Sequence, residues 1–372
     1  LDLGNHPMAD AFIEADHLSD KEVFNPLQIC SCPQCGLMQL NYVVPASQLY
    51  DKNYIYESSI TRMGQRHWAE FSKTAAEITG LNPGDLVIDI GSNVGVLLKN
   101  FRNQGAQIIG VDPANTIVNI ALKHGIETIE GFFDIEIARR IRQEKKTAKI
   151  ITATNVFAHI DDLHAFMTAV DAVLADDGVL IIEAPYAPNL IKSLEYDTIY
   201  HEHVSYLSLK PMAILFKTFQ MEIFEVHQRD IHGGSFRTYV RRQQGSTPLT
   251  PRAMEDLQQL EEASGIYDQN QLRQFANKVS DHRDQLTSML KRLKKNGRSI
   301  AAVSAPAKGS TLLNYCGIGP DILDYITEKS ELKIGRYSPG QHIPIVADEK
   351  LLQTQPDYAI ILAWNFAEEI MD

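Results

Sequence analysis

Short apolar runs alternate with amphipathic stretches from about residue 66 to residue 240. Leu86–Ile90, Gln107–Val111, Lys149–Ala153 and Gly178–Glu183 read as buried strands. They are too short for helices and rich in Val and Ile. Helical spacing falls between them at 93–104, 114–124 and 161–175. That strand–helix rhythm predicts a mostly parallel sheet covered by helices. A polar stretch over 241–268 reads as a linker that becomes helical. From Leu272, apolar residues recur at Phe275, Val279, Leu286, Met289, Leu290 and Leu293, which predicts one long helix closed by Gly297. A second α/β rhythm follows, with strands at Ser299–Val303, from Tyr325, and at Tyr358–Leu362. Residues 1 to about 55 carry only short apolar pieces and many turn formers, too little for an independent core.

Composition narrows the class. The chain of 372 residues has 44% apolar residues and a net charge of −12. It can bury real cores, and its acidity argues against a nucleic-acid partner. No apolar run reaches the length of a membrane span, and the first residues lack the features of a signal peptide. Four cysteines, three of them between positions 30 and 35, suit a reduced, cytoplasmic protein with one local cysteine site.

The strongest motif is Val87-Ile-Asp89-Ile-Gly91-Ser-Asn93-Val-Gly95. Glycines at 91 and 95 let the backbone approach a ligand closely, and Asn93 tolerates the left-handed conformation. A dinucleotide fingerprint requires a third glycine at 96, where Val96 stands. The spacing better suits the first loop of a class I S-adenosylmethionine methyltransferase. Asp112 ends the second strand, where a carboxylate accepts ribose hydroxyls, and Asp134 in Gly131-Phe-Phe-Asp offers an acceptor beside an adenine pocket. Asn155 and His159 follow the fourth strand, where such sheets bind ligands.

Tyr200-His201-Glu202-His203 gathers titratable groups suited to removing a carbon-bound proton. A polar interdomain loop is the bland alternative. Cys32-Pro-Gln-Cys35-Gly is half of a zinc knuckle, with a redox pair as the alternative. Gly233-Gly-Ser-Phe-Arg237 and Lys308-Gly-Ser310-Thr311 each offer donors to a pyrophosphate, or serve only as turns.

Together these motifs resemble the sugar C-methyltransferases of deoxysugar pathways. The likeness spans the chain, from Leu3-Gly-Asn-His-Pro7 and Tyr54-Ile-Tyr56 to Ala305-Pro-Ala-Lys308-Gly-Ser-Thr. It implies an α/β fold: a small N-terminal zinc-binding module over 1–55, a class I S-adenosylmethionine-dependent domain over 56–245, and a C-terminal Rossmann-like domain over 246–372. It implies methylation at carbon 3 of a nucleotide-diphosphate 4-keto sugar. His203 would be the base, with Glu202, Tyr200, His159 and Tyr54 around the substrate. Asp89, Gly91, Asn93, Gly95, Asp112, Asp134 and Asn155 would hold S-adenosylmethionine. Arg237, Lys308, Ser310 and Thr311 would hold the nucleotide sugar. The zinc module has two cysteine pairs in that family. This sequence shows only Cys32 and Cys35, so the first pair is expected upstream of Leu1. Competing classes are a nicotinamide-dependent sugar oxidoreductase or epimerase, and a non-catalytic nucleotide-sugar-binding protein. No Y-x-x-x-K pair follows the fourth strand to favour the former.

Overall fold

A computed structural model describes residues 1–49, 62–229, 231, 233–243 and 252–371. Three strands open the chain: β1 (Asp2–His6), β2 (Asn25–Ser31) and β3 (Met38–Leu40), joined antiparallel. The central sheet begins with β4 (Leu86–Ile90), β5 (Gln107–Asp112), β6 (Thr128–Glu130), β7 (Ala148–Thr154) and β8 (Leu174–Pro185), all parallel. A two-residue strand, β9 (Ser205–Tyr206), then leaves that unit and pairs with β3. The hairpin β10 (Met221–Arg229) and β11 (Ser235–Arg242) returns to complete the central sheet in the order β10-β11-β8-β7-β4-β5-β6. A third sheet, also parallel, contains β12 (Ile300–Val303), β13 (Ile326–Glu328), β14 (Ile345–Ala347) and β15 (Tyr358–Ile361), in the order β14-β13-β12-β15.

β4 and β7 read as nearly unbroken apolar runs because helices cover both faces of a parallel sheet. Phe157, Phe166 and Phe216 fill one face, and Phe71, Leu98, Phe101 and Tyr239 fill the other. β11 has a different logic. Its arginines lie inside the sheet, and cross-strand partners compensate them: Arg237 stands opposite Glu183, and Arg241 opposite Glu222. The expected loop at 233–237 is therefore a turn at Gly233 and Gly234 running into a strand.

The long helix expected from Leu272 spans Gln269–Lys295, capped at its start by Asp268. The helix Arg252–Ser264 buries Met254 and Leu257 in the central core, although the sequence grouped it with the last unit. The expected domain boundaries, at 55 and 245, lie outside the described residues. All three units meet in one apolar knot. Leu3, Leu27 and Leu40 come from the first sheet, Tyr196, Ile199 and Tyr206 from the central unit, and Phe275 and Val279 from the long helix.

Glu261 binds this arrangement from one side. It is 1% exposed and accepts from the Leu209 and Lys210 amides at 2.5 and 3.3 Å. It also accepts from the Tyr186 and Tyr267 hydroxyls at 2.9 and 2.5 Å. Its carboxyl thus caps the helix Leu209–Thr218 from a distant part of the chain. Glu261→Ala leaves several buried donors without an acceptor, which should cost about 2–4 kcal/mol. Urea unfolding should show a lower midpoint with an unchanged slope, and an unchanged midpoint would refute the cap.

Candidate active site

The loop after β4 is built for close approach. Gly91 and Gly95 have φ of +66° and +81°, and Asn93 has +49°. A Cβ on Gly91 would lie 2.3 Å from Val156 Cγ2, and one on Gly95 would lie 2.7 Å from Ile126 Cγ2. Asp112, at the end of β5, accepts from the Asn93 amide at 2.9 Å and the Ala114 amide at 3.0 Å. One amide reaches each oxygen, so the carboxylate is locked in place with lone pairs remaining for a ligand. Burial raises its pKa, and the two amides oppose that. Asp89 lies beneath, accepting from the Thr152 hydroxyl at 2.6 Å. Burial pushes its carboxyl up to about 7, with Asp112 adding to the shift and Thr152 opposing it.

Asn155 also takes the left-handed conformation, at φ +55°. Its backbone N–H donates to the Glu183 carbonyl at 2.8 Å. Its side-chain Oδ1 is buried without a hydrogen-bond partner among the described residues, as is Ser92 Oγ. Asp134 caps the helix Ile135–Glu144, with Oδ1 accepting from the Glu136 and Ile137 amides. Asp89, Gly91, Ser92, Asn93, Asp112, Asp134 and Asn155 line one cavity of about 1040 Å³, whereas Gly95 is outside that lining and makes room for Ile126. The glycine approach, the locked carboxylate and the unpartnered polar atoms fit S-adenosylmethionine. Its ribose hydroxyls and adenine need such acceptors and donors.

The same cavity contains the second cluster. Tyr200, Glu202, His203 and His159 all line it. The His203 ring lies 4.1 Å from the Tyr200 ring and 5.2 Å from the His159 ring, centroid to centroid. His203 Nδ1 sits 2.7 Å from the Thr198 carbonyl oxygen. A carbonyl only accepts, so Nδ1 carries the proton and Nε2 carries the lone pair in the neutral ring. Burial and the neighbouring His203 depress His159 to about 3, so it stays neutral at pH 7. Burial and the charge of Asp10 raise Glu202 to about 8. His201 is fully buried away from the cavity lining, which separates it from His203. Tyr54 lies outside the described residues.

Of the expected nucleotide-sugar ligands, Lys308 alone lines the cavity. Its ammonium donates to Asn365 Oδ1 and sits 4.2 Å above the Trp364 ring. Burial lowers its pKa, while Asp197 and Glu195 favour its charge. Ser310 and Thr311 are corrected: they are 5% and 2% exposed and spend their hydroxyls on the Ala9 and Ile199 carbonyls, at 2.7 and 2.8 Å. They lie one turn past the helix start, on the face that packs against the other two units. Arg237 is corrected too. Its guanidinium is fully buried, 3.8 Å over the Phe71 ring, with Nε donating to Glu183 Oε2 at 2.7 Å. It holds the sheet together instead of reaching the cavity.

Sequence reasoning missed Asp10, Glu328 and Lys333, which also line the cavity. Each stands outside any chemical motif, so no local signal marks them.

Cys32 and Cys35 face each other in the turn between β2 and β3. Amides of Cys35 and Gln34 aim at the Cys32 sulfur and lower its pKa. Gly36 allows the turn at φ +83°, where a Cβ would meet the Tyr267 ring at 2.6 Å. Two thiols with aimed amides fit one half of a tetrahedral zinc site. Among the described residues, no third ligating atom joins them.

Comparison with known proteins agrees with this layout. Residues 1–50 match the profile of a zinc binding domain, 61–226 that of a methyltransferase domain, and 230–372 that of a C-methyltransferase C-terminal domain. C-methyltransferase NovU of Streptomyces niveus is 34% identical over 372 residues, covering 100% of this chain and 88% of that protein. A ubiquinone biosynthesis O-methyltransferase of Rhodopseudomonas palustris is 26% identical over 113 residues, 30% of this chain and 44% of that one. Among solved structures, magnesium protoporphyrin IX methyltransferase of Synechocystis PCC 6803 aligns at a TM-score of 0.40 and 14% identity, over 50% of this chain and 90% of that chain. Full-length identity to NovU, together with the three consecutive domain matches, makes this chain a member of the C-methyltransferase family and an S-adenosylmethionine-dependent enzyme.

Proposed function

We propose that the enzyme methylates carbon 3 of a nucleotide-linked 4-keto sugar, with His203 as the base. The observation that carries this reading is the hydrogen bond from His203 Nδ1 to the Thr198 carbonyl. It leaves the Nε2 lone pair for a proton in the same cavity as the cofactor loop. A proton on carbon next to a ketone is removable because the electron pair spreads onto the carbonyl oxygen. His203 Nε2 takes that proton, and the Thr198 carbonyl stabilises the imidazolium by accepting from Nδ1. The developing oxyanion needs donors placed in advance. Tyr200 and the protonated Glu202 supply them, with His159 and Tyr54 completing the group by resemblance. Glu202 suits this task because burial keeps its carboxyl neutral up to about pH 8.

Asp112, Asn155 and the Gly91–Gly95 loop hold S-adenosylmethionine, which supplies an electrophilic sulfonium methyl when bound. Their part is alignment, since methyl displacement depends on an in-line approach. The zinc knuckle takes no part in the reaction. Lys308 supports a substrate with an anionic end, as a nucleotide diphosphate has. The sugar, the carbon position and the nucleotide come from family resemblance, and chemistry at His203 is consistent with them. Among the described residues, no helix is long and apolar enough to cross a membrane.

Two measurements test the reading. Asp112→Ala should weaken S-adenosylhomocysteine binding by about 5- to 150-fold, the equivalent of roughly 1–3 kcal/mol. Calorimetry with NAD on the wild type should show only weak binding, and tight NAD binding would shift the enzyme to the oxidoreductase class. For the base, the enzyme with S-adenosylhomocysteine and a nucleotide 4-keto sugar in deuterated water should wash deuterium into carbon 3. His203→Asn should slow that exchange about 10²- to 10⁴-fold while still binding the cofactor. Exchange at the wild-type rate in this variant would remove His203 from the role.

A further inference from the structure

The last sheet repeats the strand order around the cofactor loop. β14-β13-β12-β15 and β6-β5-β4-β7 are both parallel, and in each the strands stand third, second, first, fourth in chain order. Ligands of such sheets bind beyond the carboxyl ends of the strands, where the order reverses. In the last unit that crevice follows β12 and β15. Ser304, Lys308 and Asn365 line the large cavity from it.

The likeness extends to the strand ends. After β4, Asn93 is left-handed and its amide donates to Asp112, which closes β5. After β12, Ser304 is left-handed at φ +66°, and the next amide, that of Ala305, donates to Glu328 Oε2 at 2.9 Å. Glu328 closes β13. Its Oε1 accepts from the Lys329 and Ser330 amides at 2.8 and 3.1 Å, as Asp112 Oδ1 accepts from Ala114. Lys333 holds the other end of Ala305, donating to its carbonyl at 2.8 Å. Glu328 is thus fixed against a fixed loop, and it lines the cavity.

A carboxylate offers about four lone-pair positions. Among the described residues, amides take both positions on Glu328 Oε1 and one on Oε2. One acceptor position on Oε2 is left, enough for a single hydroxyl. Asp112 keeps one on each oxygen, enough for a ribose diol.

We propose that Glu328 accepts one ribose hydroxyl of the nucleotide-linked substrate. This rests on the nucleotide-sugar reading given above. Each α/β unit then holds a ribose on a strand-end carboxylate, the cofactor's on Asp112 and the substrate's on Glu328. Lys308 follows the same loop and lines the same cavity, which gives the attached diphosphate a cation.

Calorimetry on the full chain with S-adenosylhomocysteine bound tests this without a sugar or a reaction. The probes are ADP, GDP, CDP, UDP and dTDP, and then the 2′,3′-dideoxy form of the tightest binder. Loss of the hydroxyls should weaken binding to the wild type about 10-fold or more. In Glu328→Ala the natural and dideoxy forms should bind alike. Wild-type affinity for S-adenosylhomocysteine in that variant shows that it is folded. Equal binding of both forms by the wild type would overturn the proposal. So would a variant that keeps the wild-type preference, since Glu328 would then only anchor its loop. Should the variant fail to fold, a crystal structure of the wild type with the tightest binder decides. A ribose oxygen within hydrogen-bond distance of Glu328 Oε2 supports the proposal, and a ribose bound elsewhere overturns it. Failure of every diphosphate to bind would instead remove the nucleotide reading, and this proposal with it.

Discussion

The segment from Glu195 to Tyr206 is the constraint on which the site depends. It belongs to the central unit, yet each of its anchors comes from somewhere else. Ile199 offers its carbonyl to Thr311, and Asp197 accepts from the Trp364 indole at 2.7 Å, both in the last unit. Tyr196 meets His282 on the long helix at 3.0 Å. Ser205 and Tyr206 pair with β3 of the first sheet. Within the segment, the Thr198 carbonyl fixes the His203 tautomer with the proton on Nδ1. A loop pinned on three sides holds the His203 ring in a fixed position, as the proposed proton abstraction requires.

Burial governs the charges there. Desolvation disfavours the ionised form of every group, which drives acids up and histidines down. The cavity accordingly holds Asp89 near 7, Glu202 near 8 and His159 near 3. At neutral pH His159 is neutral and the Glu202 carboxyl keeps its proton, so both stand beside His203 as uncharged groups. Uncharged donors and acceptors of this kind stabilise charge that develops beside them. The buried pair Arg237 and Glu183 shows the opposite solution, where opposite charges meet inside the sheet: Arg237 Nε donates to one Glu183 oxygen, and His67 Nε2 lies 2.6 Å from the other.

Local pattern revealed the central architecture. Buried parallel strands have a short apolar signature, and the Gly91-Ser-Asn-Val-Gly95 turn has its own steric reason. Those features lie within a few residues of one another, so sequence spacing carries them. β11 escaped notice because its arginines look solvent-facing until Glu183 and Glu222 are set opposite them. The roles of Ser310 and Thr311 were misread for the same reason. A hydroxyl near a helix start looks like an anion ligand, and only the approach of Ala9 and Ile199 shows where its hydrogen bond goes.

The sequence by itself determined the α/β rhythm, the glycine loop after β4, the cysteine turn and the Tyr200–His203 cluster. Tertiary structure decided which histidine of that cluster faces the cavity and which nitrogen holds the proton. It also decided that Asp10 and Lys333, 323 positions apart, line the same cavity as Glu202. The division has a physical cause. Turn sterics and strand burial act between chain neighbours, whereas the charge state of a buried group depends on whatever the fold brings within a few ångströms, whatever its distance along the chain.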